Sequence, residues 1–238
     1  AGPAKEPVAG EGVATREVEI WRLVGRHSNV VELSGVFVGG GSSCLILMER
    51  CQNGSIAELM HILRARPSCR RTALANASLV AAASFAASCL FAAVSVVCSD
   101  EGAPHLLRGM AMGIAHVHDR GVVHRDIKPA NFLLGGAQGI TVKLCDFGTA
   151  ALLPRGPEGL LGSFGTAPYM SPEMVGGRGH GLSTDVWSFG ASAYELLFGA
   201  YPYAAEASSR AMKLAIFKGQ PEPPFKVEAA AFPWRVSP

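Results

Sequence analysis

The run His124-Arg125-Asp126-Ile127-Lys128-Pro129-Ala130-Asn131, followed by Asp146-Phe147-Gly148, decides how this chain reads. It combines a carboxylate that can accept a hydroxyl proton, a lysine that can meet a phosphate, and two oxygen-bearing side chains, Asn131 and Asp146, suited to a hard metal ion. The spacing suits the movement of a phosphoryl group, a reaction in which a protein mainly positions the reactants and neutralises charge. Asp-Phe-Gly alone is a common tripeptide, more often a strand ending in a turn. The eight-residue string is far more specific.

Further strings follow in order. Gly165-Thr166-Ala167-Pro168-Tyr169-Met170-Ser171-Pro172-Glu173 resembles the segment that closes the activation loop of protein kinases. Asp185-Val186-Trp187-Ser188-Phe189-Gly190 resembles the start of their buried central helix. Together these strings resemble the eukaryotic protein kinase superfamily, serine/threonine type. The resemblance implies ATP and Mg²⁺, with Asp126 orienting and deprotonating the attacking hydroxyl, Lys128 near the γ-phosphate, and Asn131 and Asp146 as metal ligands. It implies that Asp185 braces the backbone around His124 and Arg125, and that Arg125 can clamp a phosphate on the activation segment. Ser163 is the expected phosphosite, while Thr166 is expected to contact the catalytic loop. Lys128 with Thr166 points to serine/threonine substrates, and Ala130 in place of a glutamate weakens a basic-substrate reading.

Upstream, Arg16-Glu17-Val18-Glu19-Ile20-Trp21-Arg22-Leu23 reads as an amphipathic helix. With His27 to Val31 it resembles the kinase helix αC running into a strand, and Glu17 matches the glutamate that pairs with the ATP-binding lysine. Cys44 to Glu49 reads as a buried strand, a short aliphatic run. By resemblance Met48 is the gatekeeper, Glu49 to Cys51 form the hinge that bonds adenine, Leu133 floors the adenine pocket and Ser55 falls at a ribose contact. The expected fold is α+β and two-lobed: residues 1–50 an incomplete antiparallel N-lobe with helix αC, and residues 51–238 a mainly helical C-lobe.

A complete kinase begins with a glycine-rich strand-turn-strand and a V-A-x-K lysine, neither of which precedes Glu17 here. Lys5, between prolines and close to Glu17, is a poor match for that lysine. Phe232-Pro233-Trp234-Arg235-Val236-Ser237 resembles the entry to the last C-lobe helices, and the resemblance places the arginine that pairs with Glu173 in those missing helices. The chain therefore reads as a kinase domain truncated at both ends. An insertion at about residues 64–102 separates two helical segments, and its centre, Leu79 to Cys98, is apolar and uncharged. A membrane span there would part the hinge from the catalytic loop, although both must touch one ATP. A translated intron or gene-model error is the favoured reading of this stretch, ahead of a family-specific insertion.

The formal net charge is +2 and no lysine/arginine run points to nucleic acid. The six cysteines show no C-x-x-C or zinc spacing, so a reducing, cytoplasmic compartment is expected, with most thiols buried. Cys145, beside Asp146, is a candidate for electrophilic modification. The substrate is expected to be a protein. Within the superfamily, the Glu17-to-His27 spacing resembles calcium/calmodulin-dependent kinases, while Gly165 to Glu173 resembles kinases of mitogen-activated cascades; both remain open. The alternative function is an inert kinase-like binding module.

Overall fold

The structure, a computed structural model, describes residues 12–38, 44–65, 102–203 and 208–225. Lys5 and the apolar stretch from Leu79 to Cys98 lie outside the described residues, as does Phe232-Pro233-Trp234.

Helix α1, Gly12–Val24, buries Val18, Trp21 and Val24, residues three to four apart that form one helical stripe. Trp21 also donates its indole N–H to the Val31 carbonyl at 2.8 Å, tying the helix to the chain that follows it. Strands β1, Leu33–Val38, and β2, Cys44–Met48, pair antiparallel, with Phe37 opposite Leu45 and Val36 opposite Ile46. The strand is as expected, but its burial is not: Leu45 is 66 % and Leu47 50 % exposed. The reason lies in the pleat, which sends alternate side chains to opposite faces. Ile46 packs against the core while the face carrying Leu45 and Leu47 is exposed.

The larger part is mainly helical. Helix α2, Ile56–Ala65, follows the turn after β2, and α3, Gly102–Asp119, buries Leu106, Gly109, Met110, Gly113, Ile114 and Val117 as a continuous stripe. After α3 come β3, Val122–Val123, the 3₁₀ turn Pro129–Asn131, then the hairpin of β4, Phe132–Gly135, and β5, Thr141–Leu144. Strand β6, Ala151–Leu152, pairs with β3. A 3₁₀ turn at Ala167–Tyr169 leads to α4, Pro172–Val175, then α5, Leu182–Phe198, and α6, Ser209–Lys218. The α+β, two-lobed arrangement expected from the sequence is present.

The β4–β5 hairpin joins the two parts. Val31 N–H donates to the Leu144 carbonyl and Leu144 N–H to the Asn29 carbonyl, both at 2.9 Å, while the Asn29 amide donates to the Val142 carbonyl at 2.8 Å. On its other edge, Leu134 N–H donates to the Gly54 carbonyl at 2.8 Å. Thus the loop after α1 and the turn after β2 are stitched to one frame. Among the described residues no helix is long and apolar enough to cross a membrane.

Helix α3 approaches this frame closely enough to need glycine. A Cβ on Gly113 would stand 2.6 Å from the Asn29 carbonyl oxygen, a backbone atom that cannot swing away. Glycine to alanine inside a helix ordinarily gains up to about 1 kcal/mol. Here Gly113→Ala is expected to lose roughly 1–3 kcal/mol by overpacking, read as a lower urea midpoint. A midpoint equal to or above that of the unaltered protein would show that the contact is not tight.

Candidate active site

The site is built where β3 ends and β4 begins. Asp185, fully buried on the first turn of α5, accepts hydrogen bonds from the backbone N–H of His124 through Oδ2 and of Arg125 through Oδ1, both at 2.8 Å. Its Oδ2 also meets His118 Nε2 at 2.9 Å. A carboxylate fixed by two main-chain donors determines the path of the loop entering Asp126. That path is unusual, since Arg125 has φ 67°, a left-handed conformation rare for a residue with a side chain.

The Asp126 carboxylate is met on both oxygens. Lys128 Nζ lies 2.7 Å from Oδ2 and the Thr166 hydroxyl donates to Oδ1 at 3.1 Å. Lys128 Nζ also donates to Thr166 Oγ1 at 2.9 Å, closing a triangle between the catalytic loop and the segment beginning at Gly165. Asn131, held in the 3₁₀ turn, donates Nδ2 to the Asp126 carbonyl at 2.8 Å and to Oδ2 at 3.3 Å. Its own backbone carbonyl accepts the Cys145 N–H at 2.9 Å, which brings the residue preceding Asp146 against the same turn. Asp146 is exposed, has φ 65°, and accepts the Gly148 N–H at 3.3 Å. Residues 126, 128, 131 and 166 therefore form one bonded cluster, and Asp146 reaches it through Cys145 and Asn131.

Phe147 is wholly buried and joins the two parts of the molecule by its ring. It lies 5.4 Å from Trp21 of α1 and 5.3 Å, edge-on, from His124. His124 Nε2 in turn contacts the Cys145 carbonyl at 3.1 Å. On α1, Glu17 is half-buried and its pKa is raised, first by burial and then by the Asp146 charge. Among the described residues no cation pairs with Glu17.

Met48, 47 % exposed, ends β2, and the chain then passes to Cys51 without regular structure. Glu49 is anchored three times: its N–H donates to the Glu32 carbonyl at 2.9 Å, and its carboxylate accepts the Glu32 N–H at 3.2 Å and pairs with Lys143 of β5 at 3.0 Å. Leu133 is half-buried and forms an isolated antiparallel bridge with Ser55. The Ser55 hydroxyl accepts the Glu58 N–H, and the Glu58 carboxylate accepts the Ser55 N–H, both at 3.2 Å. This reciprocal pair is a capping box opening α2, a role that the Ser-Ile-Ala-Glu spacing itself signals and that the sequence reading passed over.

Along the activation segment, Arg125 Nε donates to the Thr149 carbonyl at 2.6 Å and its guanidinium carbon lies 3.9 Å from the centre of the Phe164 ring. Ser163 is exposed, and its hydroxyl lies 3.9 Å from the Met170 sulfur. Glu173, half-buried, makes no ion pair among the described residues. The Tyr169 hydroxyl donates to Glu195 at 2.6 Å, and Glu195 also pairs with Arg64 at 3.2 Å. Neither Phe164 nor Glu195 was expected from the sequence; only their loop and helix neighbours carried a motif.

Cys145 does not suit the electrophile-reactive role suggested by its position. It is only partly exposed, its Sγ contacts the Asn131 carbonyl at 3.4 Å, and its pKa is pushed up to about 12, first by burial and then by the adjacent Asp146 charge. Burial likewise pushes Cys51 up to about 11. At pH 8 the folded protein is expected to alkylate at Cys145 on the order of a hundredfold more slowly than the urea-unfolded chain, measured by peptide mass spectrometry. Equal rates would show that the thiolate is accessible in the fold.

Comparison with known proteins returns a consistent result. The family model for the protein kinase domain matches residues 4–231. Serine/threonine-protein kinase PLK4 of Drosophila grimshawi is 30 % identical over 206 residues, covering 85 % of this chain and 23 % of that protein. The MAP kinase kinase skh1/pek1 of Schizosaccharomyces pombe is 38 % identical over 109 residues, 45 % of this chain and 29 % of the relative. The calcium/calmodulin-dependent protein kinase type II alpha chain of Drosophila melanogaster is 39 % identical over 113 residues, 47 % of this chain and 21 % of the relative. The chain spans less than a third of the length of each of these three.

Proposed function

The chain belongs to the protein kinase domain family, and from that premise we propose that it transfers the γ-phosphoryl group of ATP to serine or threonine hydroxyls of protein substrates. The observation that carries the reading is the triangle of Asp126, Lys128 and Thr166, with Asn131 bonded to the same carboxylate. In this mechanism Asp126 accepts the hydroxyl proton as the substrate oxygen bonds to the γ-phosphorus and the bond from phosphorus to the β–γ bridging oxygen breaks, leaving ADP. Lys128 carries its charge beside the reacting group and holds the Asp126 carboxylate in orientation. Thr166 occupies one carboxylate oxygen and so marks where a substrate hydroxyl would approach. The hinge amide of Cys51 and carbonyl of Glu49 would meet the adenine edge, below Met48 and above Leu133. The Ser55 hydroxyl accepts the Glu58 N–H in the helix cap and would keep its own O–H to donate to a ribose.

Asn131 and Asp146 fit Mg²⁺. Asn131 spends its amide nitrogen on Asp126, leaving its oxygen as the outward donor, and Asp146 offers an exposed carboxylate. No group of three or more His, Cys, Asp or Glu gathers among the described residues, which suits an ion that takes one or two carboxylates together with phosphate oxygens and water. When bound with the nucleotide, Mg²⁺ supplies neutralisation of phosphate charge.

The same reading divides the chain near residue 50 into a smaller lobe carrying Glu17 and a larger one carrying the catalytic loop. Ser163, exposed beside Phe164, is the proposed phosphosite. The compartment proposed is the cytoplasm, supported by the free thiols of Cys44, Cys51 and Cys145. A second reading, an inert kinase-like binding module, rests on Glu17, whose carboxylate meets no cation among the described residues.

Two measurements separate the readings. ATP with Mg²⁺ is expected to raise the thermal midpoint of the 238-residue chain, and the chain is expected to label a serine- and threonine-containing peptide library. Asp126→Asn is expected to reduce labelling by roughly a thousandfold or more while retaining the nucleotide-induced shift. No shift and no labelling would favour the binding module; a shift with labelling unaffected by Asp126→Asn would remove Asp126 from the base role.

A further inference from the structure

The segment Gly162-Ser163-Phe164-Gly165 lies across Arg125, and its two glycines make the approach possible. Gly162 has φ +101° and a Cβ there would stand 2.5 Å from Phe164 Cε2, so only glycine lets the ring fold back at this point. Gly165 has φ +87°, and a Cβ there would stand 2.6 Å from the Arg125 carbonyl oxygen and 3.2 Å from Asp126 Oδ1. Between them the Phe164 ring faces the Arg125 guanidinium with 3.9 Å from its carbon to the ring centre. That distance is within the range in which the negative face of an aromatic ring attracts a cation.

Arg125 needs such a partner. It is 7 % exposed, and its one side-chain hydrogen bond among the described residues is Nε to the Thr149 carbonyl. The carboxylate whose charge acts on it, Asp185, is engaged by two backbone amides and His118. Burial and the neighbouring Arg16 charge both disfavour the charged guanidinium, and only Asp185 opposes them.

We propose that Phe164 is a positioning residue, whose ring on Arg125 holds the activation segment against the catalytic loop without a phosphate. Through Gly165 the stack fixes Thr166, whose hydroxyl lies on Asp126, so the ring acts on the base at one remove. It also occupies the guanidinium face toward the segment, the place where a phosphate on Ser163 would otherwise supply the holding charge. The inference rests on the kinase reading for its consequence in catalysis, but the stack itself does not depend on that reading.

The test uses the whole 238-residue chain after phosphatase treatment, with absence of phosphate verified by mass spectrometry. Three variants are compared: Phe164→Ala, Phe164→Leu, which keeps apolar bulk, and Phe164→Tyr, which keeps the aromatic face. Amide hydrogen exchange across residues 163–167 is expected to be about tenfold faster in the Leu and Ala variants and unchanged in the Tyr variant. In phosphotransfer, kcat is expected to fall about tenfold for Leu and Ala with KM for ATP within about twofold of the unaltered chain, and to be rescued by Tyr. Exchange in Phe164→Leu equal to that of the unaltered chain would overturn the proposal, as would a phosphate-free unaltered chain already exchanging as fast as Phe164→Ala. If no form of the chain transfers phosphate yet the exchange pattern holds, the kinase reading fails and the stack stands.

Discussion

The whole site depends on one buried carboxylate. Asp185 has no exposure, and a polar group buried there is tolerated only because hydrogen-bond partners surround it. Two of those partners are the main-chain N–H groups of His124 and Arg125, so the carboxylate is satisfied only when the loop takes one particular course. Helix α5 is thereby made into the template for the loop. The template is itself held: Ser188 Oγ, one turn along, donates to the Tyr169 carbonyl at 2.7 Å and ties the end of the activation segment to the same helix. Catalytic loop and activation segment therefore register against one another through a shared support.

A ring then carries this order into the smaller lobe. Phe147 stands between Trp21 and His124, and Trp21 is fastened to Val31, which is bonded to Leu144 of β5. A shift of α1 would move Trp21 away from Phe147 and with it the backbone on either side of Asp146. Glu17 lies one helical turn before Trp21 on this same face, where the Asp146 charge reaches it. The position of α1 and the electrostatics around Asp146 are coupled by this packing.

The sequence made some of this legible and hid the rest for physical reasons. Contiguous strings such as His124 to Asn131, Asp146 to Gly148 and Gly165 to Glu173 are readable because each packs several roles into one loop. The Asp185 brace was readable too, through its own string. What stayed hidden depends on backbone geometry or on the company a side chain keeps. Cys145 looked reactive by position, yet burial and Asp146 suppress its thiolate. Leu45 and Leu47 read as core, yet alternation sends them outward. The Phe164 ring over Arg125 arises from two left-handed glycines, and nothing in residue type announces their φ values.

Two non-glycine residues among those described, Arg125 and Asp146, hold left-handed backbone at φ 67° and 65°. Each such conformation costs on the order of 1–3 kcal/mol and persists only where surrounding contacts over-determine it. For Arg125 those contacts are Asp185 at its N–H, Thr149 at its Nε and Phe164 at its guanidinium. For Asp146 they are the bonds of the preceding residue, Cys145 N–H to the Asn131 carbonyl and Cys145 carbonyl to His124, with Phe147 buried just after it. His124 links the two sets: its N–H shares the Asp185 carboxylate with the Arg125 N–H, and its ring meets the Cys145 carbonyl. Strain at Arg125 and strain at Asp146 are offset by one common scaffold, so loosening either turn weakens the restraint on the other.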